Sequence, residues 1–320
     1  LVSIGPFCSP KGPIPMRITV CLPEKPEPWV QGLQQALPEA EVMAWEPGQA
    51  PAEHAVVWAP PQAFIDAQPG LKALFNIGAG VDALMQLSIP AATRIVRLDD
   101  AGMSVQMAEY VCHAVIRHFR ELDAYDADAQ IGKWSYRKPR SRSDFAVGVM
   151  GLGVLGERVA RALQVFDFPV NGYSRSAKQL PGVRCFAGPG QLGDFLQASR
   201  ILVNLMPLTP DTESILCRDT LSQLQRGGYL INVARGHHLV EEDLIALIDS
   251  GHLAGATLDV FRTEPLPPEH PFWQHPKIAV TPHTSARTLR EESIAQIVGK
   301  ILALQRGEPI QGVVDPGRGY

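Results

Sequence analysis

A chain of 320 residues, 45% hydrophobic and 19% charged, is long enough to build two α/β domains with sizeable cores. Its 29 Lys and Arg against 33 Asp and Glu leave a formal net charge of −4, so no basic excess is available to neutralise a nucleic-acid backbone. The five cysteines (Cys8, Cys21, Cys112, Cys185, Cys217) are scattered and form no C-x-x-C, which argues against a disulfide framework or zinc site and for a reducing cytoplasm, and no apolar run is long enough to cross a bilayer.

Residues 1–15 are rich in proline and lack the charged start and apolar stretch of a signal peptide. They read as a leader or tag, with Met16 as the natural start. Ile18–Leu22 is a first strand, and Trp29–Leu37 carries apolar residues at helical spacing. Short strands follow at Glu41–Trp45, Ala55–Trp58, Lys72–Ile77 and Ile95–Leu98, then one long helical stretch from about Ser104 to Gln130. The charged, proline-bearing segment Tyr136–Ser143 approaches a second region.

There an apolar run, Phe145–Met150, stops at Gly151-Leu152-Gly153-Val154-Leu155-Gly156, and the amphipathic segment Glu157–Phe166 follows at once. A G-x-G-x-x-G between a strand and a helix is the context in which that motif holds a dinucleotide. Gly151 allows the tight turn, Gly153 lets a pyrophosphate approach the backbone, and Gly156 lets helix and strand pack closely. The helix N-terminus then offers free N–H groups and the positive end of its dipole. Alternation continues through strands Pro169–Tyr173, Val183–Phe186, Ile201–Leu205, Tyr229–Val233, Gly255–Val260 and Ile278–Thr281, and helices Gln191–Gln197 and Glu241–Asp249. The expected architecture is therefore two Rossmann-like, doubly wound parallel sheets with a cleft between them. The last helix, Glu291–Arg306, is expected to return to the first domain.

Ligands bind at strand C-termini in such sheets. Arg235 follows one late strand, Glu264 another and His283 a third. Each alone reads as a structural charge, but three at the sheet edge that holds the glycine loop point to an active site.

With these residues in place, the sequence resembles the D-isomer-specific 2-hydroxyacid dehydrogenases, and within them the A-type branch of bacterial glyoxylate/hydroxypyruvate reductases, from about Arg17 to Tyr320. The resemblance is carried by Asn76-Ile77-Gly78-Ala79-Gly80-Val81-Asp82, the glycine loop, Asn232-Val233-Ala234-Arg235-Gly236, Asp259-Val260-Phe261 with Glu264-Pro265-Leu266, and Thr281-Pro282-His283, in this order. It implies that Arg235, Glu264 and His283 are catalytic. Reducing a 2-oxo acid needs a hydride at carbon and a proton at oxygen. His283 is suited to deliver the proton, and a carboxylate beside it favours the imidazolium and fixes its orientation. The Arg235 fork suits a carboxylate.

The resemblance also implies that Gly78, Ala79 and Gly80 offer backbone N–H groups to the substrate carboxylate, and that Met206 and Pro207 line the adenosine and ribose side. Val233 and Ala234 belong to the cofactor wall, Asp259 bonds the nicotinamide amide, and Met107 packs near the nicotinamide or simply fills core. It implies a discontinuous substrate-binding domain, 16–106 with 290–320, and a nucleotide-binding domain, 107–289. The helix and arm at about 107–144 would clasp a second subunit through Trp134 and Tyr136, making a homodimer. At the end of the second strand of the glycine fold, where NAD-specific proteins carry an acid, this chain reads Ser174-Arg175-Ser176, with Lys178 close behind. These groups pair with a 2′-phosphate, so NADP(H) is expected over NAD(H). Thr284-Ser285-Ala286 departs from the small, often glycine-rich run that follows the histidine in many relatives, which bears on substrate preference. The expected activity is NADPH-dependent reduction of glyoxylate and hydroxypyruvate. Rival readings are a bulkier 2-oxo acid, a formate- or phosphite-type oxidation, and a non-catalytic NAD(P)-sensing protein of the same fold.

Overall fold

The structure, a computed structural model, describes residues 16–315 and 317. The expected leader at residues 1–15 lies outside the described residues. The described residues form two compact units, one comprising Met16–Leu98 with Arg290–Val314, the other Asp99–Leu289 with Asp315 and Gly317.

The first unit is a five-stranded parallel sheet in the order β2-β1-β3-β4-β5, built from β1 (Arg17–Cys21), β2 (Glu41–Ala44), β3 (His54–Val57), β4 (Ala73–Asn76) and β5 (Arg94–Arg97). Strands β3 and β4 are buried along their whole length, as strands covered on both faces must be. Helices α1 (Glu27–Ala36), α2 (Gln62–Asp66) and α3 (Asp82–Met85) connect them; α2 and α3 are too short for periodicity to reveal. The final helix, Arg290–Gln305, belongs to this unit and packs against α1. The two helices approach at Gly32, where a Cβ would stand 2.5 Å from Ile294 Cδ1. Beyond that helix the chain bonds to β5, with Arg97 N–H donating to Gly312 O at 2.9 Å and Val314 N–H to Ile95 O at 2.9 Å.

The second unit is a seven-stranded parallel sheet in the order β12-β11-β10-β9-β6-β7-β8. Its strands are β6 (Val147–Met150), β7 (Val170–Ser174), β8 (Val183–Ala187), β9 (Ile201–Asn204), β10 (Gly228–Asn232), β11 (Leu253–Leu258) and β12 (Ile278–Val280). The order reverses between β6 and β9, the switch point at which doubly wound sheets bind ligands. Alternation of side chains across the pleat splits the core in two. Val147, Val149, Val203 and Ile231 enter one apolar cluster, while Met150, Leu202, Leu230 and Leu258 enter the other.

The helices of this unit are α4 (Met103–Phe119), α5 (Leu122–Gln130), α6 (Val154–Val165), α7 (Leu192–Gln197), α8 (Arg218–Leu221) and α9 (Glu241–Asp249). The single helix expected over 104–130 is thus two, broken where Glu121 adopts φ 55°. Arg117, in the last turn of α4, bonds Asp123 and Asp126 of α5 at 2.6 Å each, which holds the bend. The boundary expected between residues 106 and 107 falls inside α4; the compact unit begins at Asp99.

Candidate active site

The glycine loop joins β6 to α6. Gly151 sits at φ +106°, and a Cβ there would lie 2.7 Å from the Leu205 backbone just past β9. Only glycine meets both demands. At Gly156 a Cβ would fall 1.8 Å from Gly151 O, so the first turn of α6 is pressed onto the strand end. Gly153 differs from both, because a Cβ there would meet nothing within 4 Å. Gly153 is also the N-cap of α6, with no capping side chain. Open space beside an uncapped helix N-terminus fits a pyrophosphate, held by N–H groups and the dipole.

Leu152 is buried in the core against Gly172, whereas Val154 is exposed and Leu155 is partly buried against the core. At the end of β7, Arg175, Ser176 and Lys178 are exposed and Ser174 is half-buried. The Ser174 hydroxyl donates to Ser176 O at 2.8 Å, curling the loop, and the Lys178 ammonium donates to Leu152 O. The cationic loop is thereby tied to the glycine turn. Met206, Val233 and Ala234 are buried at the ends of β9 and β10. Met107, for which the sequence left core and cofactor readings open, is buried on α4 in the cluster that includes Val111 and Val233.

Glu264 and His283 meet directly: Nδ1 of His283 lies 2.7 Å from Glu264 Oε2. Glu264 Oε1 accepts the Phe261 N–H at 2.9 Å, so the carboxylate is fixed from two sides. Burial raises its pKa, but the His283 bond, the Phe261 amide and the charges of His283 and Arg235 together bring it below the usual carboxylate value. His283 sits at φ 49°, with its N–H donating to Asp259 O at 2.9 Å. Arg235 caps a short 3-10 turn, Gly236–His238, and its Nη1 donates to Ala234 O at 2.7 Å. The Arg235 and Glu264 loops are in contact through Gly236, where a Cβ would fall 1.8 Å from the Phe261 carbonyl carbon. Arginine, glutamate and histidine, expected from separate motifs, thus share one edge of the seven-stranded sheet.

Asp259 is fully buried. Its Oδ1 accepts the Thr281 hydroxyl at 2.6 Å and the Thr284 N–H at 2.8 Å, and its Oδ2 accepts the Ser285 N–H at 2.8 Å. The residue expected on the nicotinamide amide therefore also braces the loop that carries His283.

Sequence reasoning missed a buried polar cluster at the ends of β9 and β10. Asn204, Asn232 and His238 are fully buried and bonded to one another or to the Arg235 carbonyl. A histidine two residues past a strand-end turn carries no signal of this in sequence.

In the other unit, Gly78-Ala79-Gly80 follows β4. The buried Asn76 amide donates to Gly78 O at 3.0 Å and to Gly80 O at 2.8 Å. In trans peptides the next N–H points away from the carbonyl, so the N–H groups of Ala79 and Val81 face away from Asn76. Trp58 was also missed: its half-exposed ring covers Gly78, and a Cβ there would lie 2.2 Å from the indole.

Among the described residues no cluster of His, Cys, Asp and Glu could hold a metal ion, and no helix is long and apolar enough to cross a membrane. Residues 112–285 match the family model for the D-isomer specific 2-hydroxyacid dehydrogenase, NAD binding domain. The chain is 46% identical over 301 residues to a glyoxylate/hydroxypyruvate reductase A of Serratia proteamaculans, covering 92% of this chain and 96% of that one. A D-isomer specific 2-hydroxyacid dehydrogenase of Xanthobacter autotrophicus, solved with NADPH and MES, superposes with a TM-score of 0.90 at 39% identity over 96% of this chain and 99% of that one. An NADPH-dependent glyoxylate/hydroxypyruvate reductase of Sinorhizobium meliloti, solved with NADP and sulfate, gives a TM-score of 0.90 at 35% identity, covering 95% and 100%.

Proposed function

The chain belongs to the D-isomer-specific 2-hydroxyacid dehydrogenase family, and from that premise we propose that it is an NADPH-dependent reductase of small 2-oxo acids, turning glyoxylate into glycolate and hydroxypyruvate into D-glycerate. The observation that carries the mechanism is the Glu264–His283 pair, 2.7 Å apart, on the sheet edge shared with Arg235. With Glu264 on Nδ1, His283 has Nε2 to offer a substrate. Nε2 delivers a proton to the 2-oxo oxygen, and the positive ring that precedes this step is stabilised by the ionised Glu264. Arg235 cannot act as a base; its fork holds the substrate carboxylate and polarises the adjacent carbonyl. In the five-stranded unit, the outward N–H groups at Ala79 and Val81 are of the kind that binds a carboxylate.

The glycine loop, the uncapped start of α6 and the Arg175 loop fit a dinucleotide phosphate. Bound NADPH supplies the hydride. Arg175 with Ser176 and Lys178 receives the 2′-phosphate, and Met206, Pro207, Val233 and Ala234 form the wall along the cofactor. The test is loss of nicotinamide absorbance with NADPH and each 2-oxo acid. Tight NADPH binding without turnover over a panel of 2-oxo acids would remove the enzyme reading.

We further propose a homodimer in the cytoplasm. The arm after α5 is held in shape by Asp128, which bonds the Ser135 hydroxyl, Lys133 at 3.2 Å and Arg137 at 2.7 Å. Yet it presents Ile131, Trp134 and Tyr136 at 75%, 101% and 81% exposure. Ordered aromatics left this open are characteristic of an interface.

A further inference from the structure

Two backbone groups set the orientation of the buried cluster at the ends of β9 and β10. Met206 N–H can only donate, and it points to Asn204 Oδ1 at 3.2 Å. Ala234 N–H likewise points to Asn232 Oδ1 at 3.3 Å. Both side-chain amides are thereby fixed, with their NH2 groups turned the other way. The Asn204 NH2 then faces Asn232 Oδ1 at 3.0 Å and His238 Nδ1 at 3.0 Å, and the Asn232 NH2 faces Arg235 O at 3.1 Å. A donor aimed at Nδ1 makes that nitrogen an acceptor, so the ring proton sits on Nε2. There it finds Pro207 O at 3.2 Å. A charged imidazole would set an Nδ1 proton against the Asn204 NH2, so the ring is neutral.

This ring stands between two loops with different duties: Met206-Pro207 in the cofactor wall and the Arg235 loop. His238 is itself part of the Arg235 loop, and its backbone N–H donates to Arg235 O at 3.3 Å. We infer that His238 is a positioning residue that sets the cofactor wall and the substrate-binding arginine in register: its backbone belongs to the Arg235 loop, while its ring reaches the end of β9, Nε2 bonding Pro207 O and Nδ1 accepting from Asn204. The inference rests on the assignment of those loops above. A ring wedged between two backbones transmits displacement, and small errors in the placement of binding groups are costly in rate.

The two nitrogens can be separated by substitution. His238→Gln keeps an amide N–H near the Nε2 position and leaves nothing at Nδ1. His238→Asn keeps an amide at the Nδ1 position and leaves Pro207 O unmet. His238→Asn, which loses the bond to Pro207 O, is expected to raise KM for NADPH and to lower kcat/KM for glyoxylate, each by roughly tenfold. His238→Gln, which keeps that bond, is expected to hold both constants near wild type. Equal changes in the two variants, or none in either, overturn the inference while the function stands. A wild-type protein that reduces no 2-oxo acid overturns the function, and this inference with it. Should neither variant fold, histidine nitrogen NMR of the wild type decides. A neutral Nε2–H imidazole whose signals move on adding NADPH supports the inference, and the lack of one overturns it.

Discussion

The two units wind their sheets alike but treat the first turn after the first strand in opposite ways. In the five-stranded unit β1 runs through Leu22-Pro23-Glu24-Lys25-Pro26 into α1, with Pro26 as N-cap and Glu27 in the first turn. Glu27, the first residue of α1, satisfies the helix dipole and repels phosphate, whereas the first-turn acid of α6, Glu157, is paired with Arg161. In the seven-stranded unit β6 runs through Gly151-Leu152-Gly153 into α6, with φ +106° at Gly151 and open space at Gly153. The same architecture thus carries the proposed nucleotide site in one case and a solvated corner in the other. Fold does not assign function; the chemistry of one turn does.

If the chemistry belongs to the seven-stranded unit, His283→Asn breaks it most. We expect kcat for glyoxylate to fall by about 10²–10⁴ while the NADPH Kd holds, measured by steady-state rates and fluorescence titration. A variant that kept its rate would dissolve the contrast between the units. Next, the glycines divide into roles. Gly156→Ala forces a Cβ onto Gly151 O and is expected to cost about 2–4 kcal/mol in denaturant unfolding. Gly153→Ala, with open space around it, is expected to leave unfolding unchanged and to weaken NADPH.

The units are alike in their response to acid. Burial lowers the pKa of His54 in β3 to about 4, and burial with the charges of Arg140 and Arg200 lowers that of His118 in α4 to about 4. The unfolded chain takes up these protons near the ordinary histidine value of 6.5, the folded chain only near 4. Stability is therefore full above the unfolded value and is lost as pH falls toward the folded one. His54→Leu is expected to remove about 2 kcal/mol of that loss at about pH 5 and to change little above pH 7, read by melts across pH. Last, Arg175→Ala sharpens the contrast in the cofactor. Loss of one charge-assisted pair is expected to lower kcat/KM with NADPH by about tenfold or more and with NADH by little.

Much of this was legible in sequence because strands and motifs coincide. Arg235, Glu264 and His283 could be placed at one edge from strand order alone, and the glycines' separate duties followed from their spacing. The break at Glu121 was not legible, since no glycine or proline marks it and helical spacing runs through; the Arg117–Asp123–Asp126 cluster that holds it is a tertiary fact. His238 and Trp58 were hidden for a similar reason. Their meaning lies in what the fold sets against them, a pair of asparagine amides and the bare backbone of Gly78.

The return of the final helix to the five-stranded unit fixes an order of synthesis. That helix packs at Gly32, and the residues beyond it bond to β5. The N-terminal sheet leaves the ribosome first, yet its closing helix is translated after all of residues 99–289. At about 5–20 residues per second the seven-stranded unit has time to fold while the earlier strands wait with an apolar face unfinished. The part of the protein made first is completed last, so a stalled or truncated product exposes the N-terminal sheet.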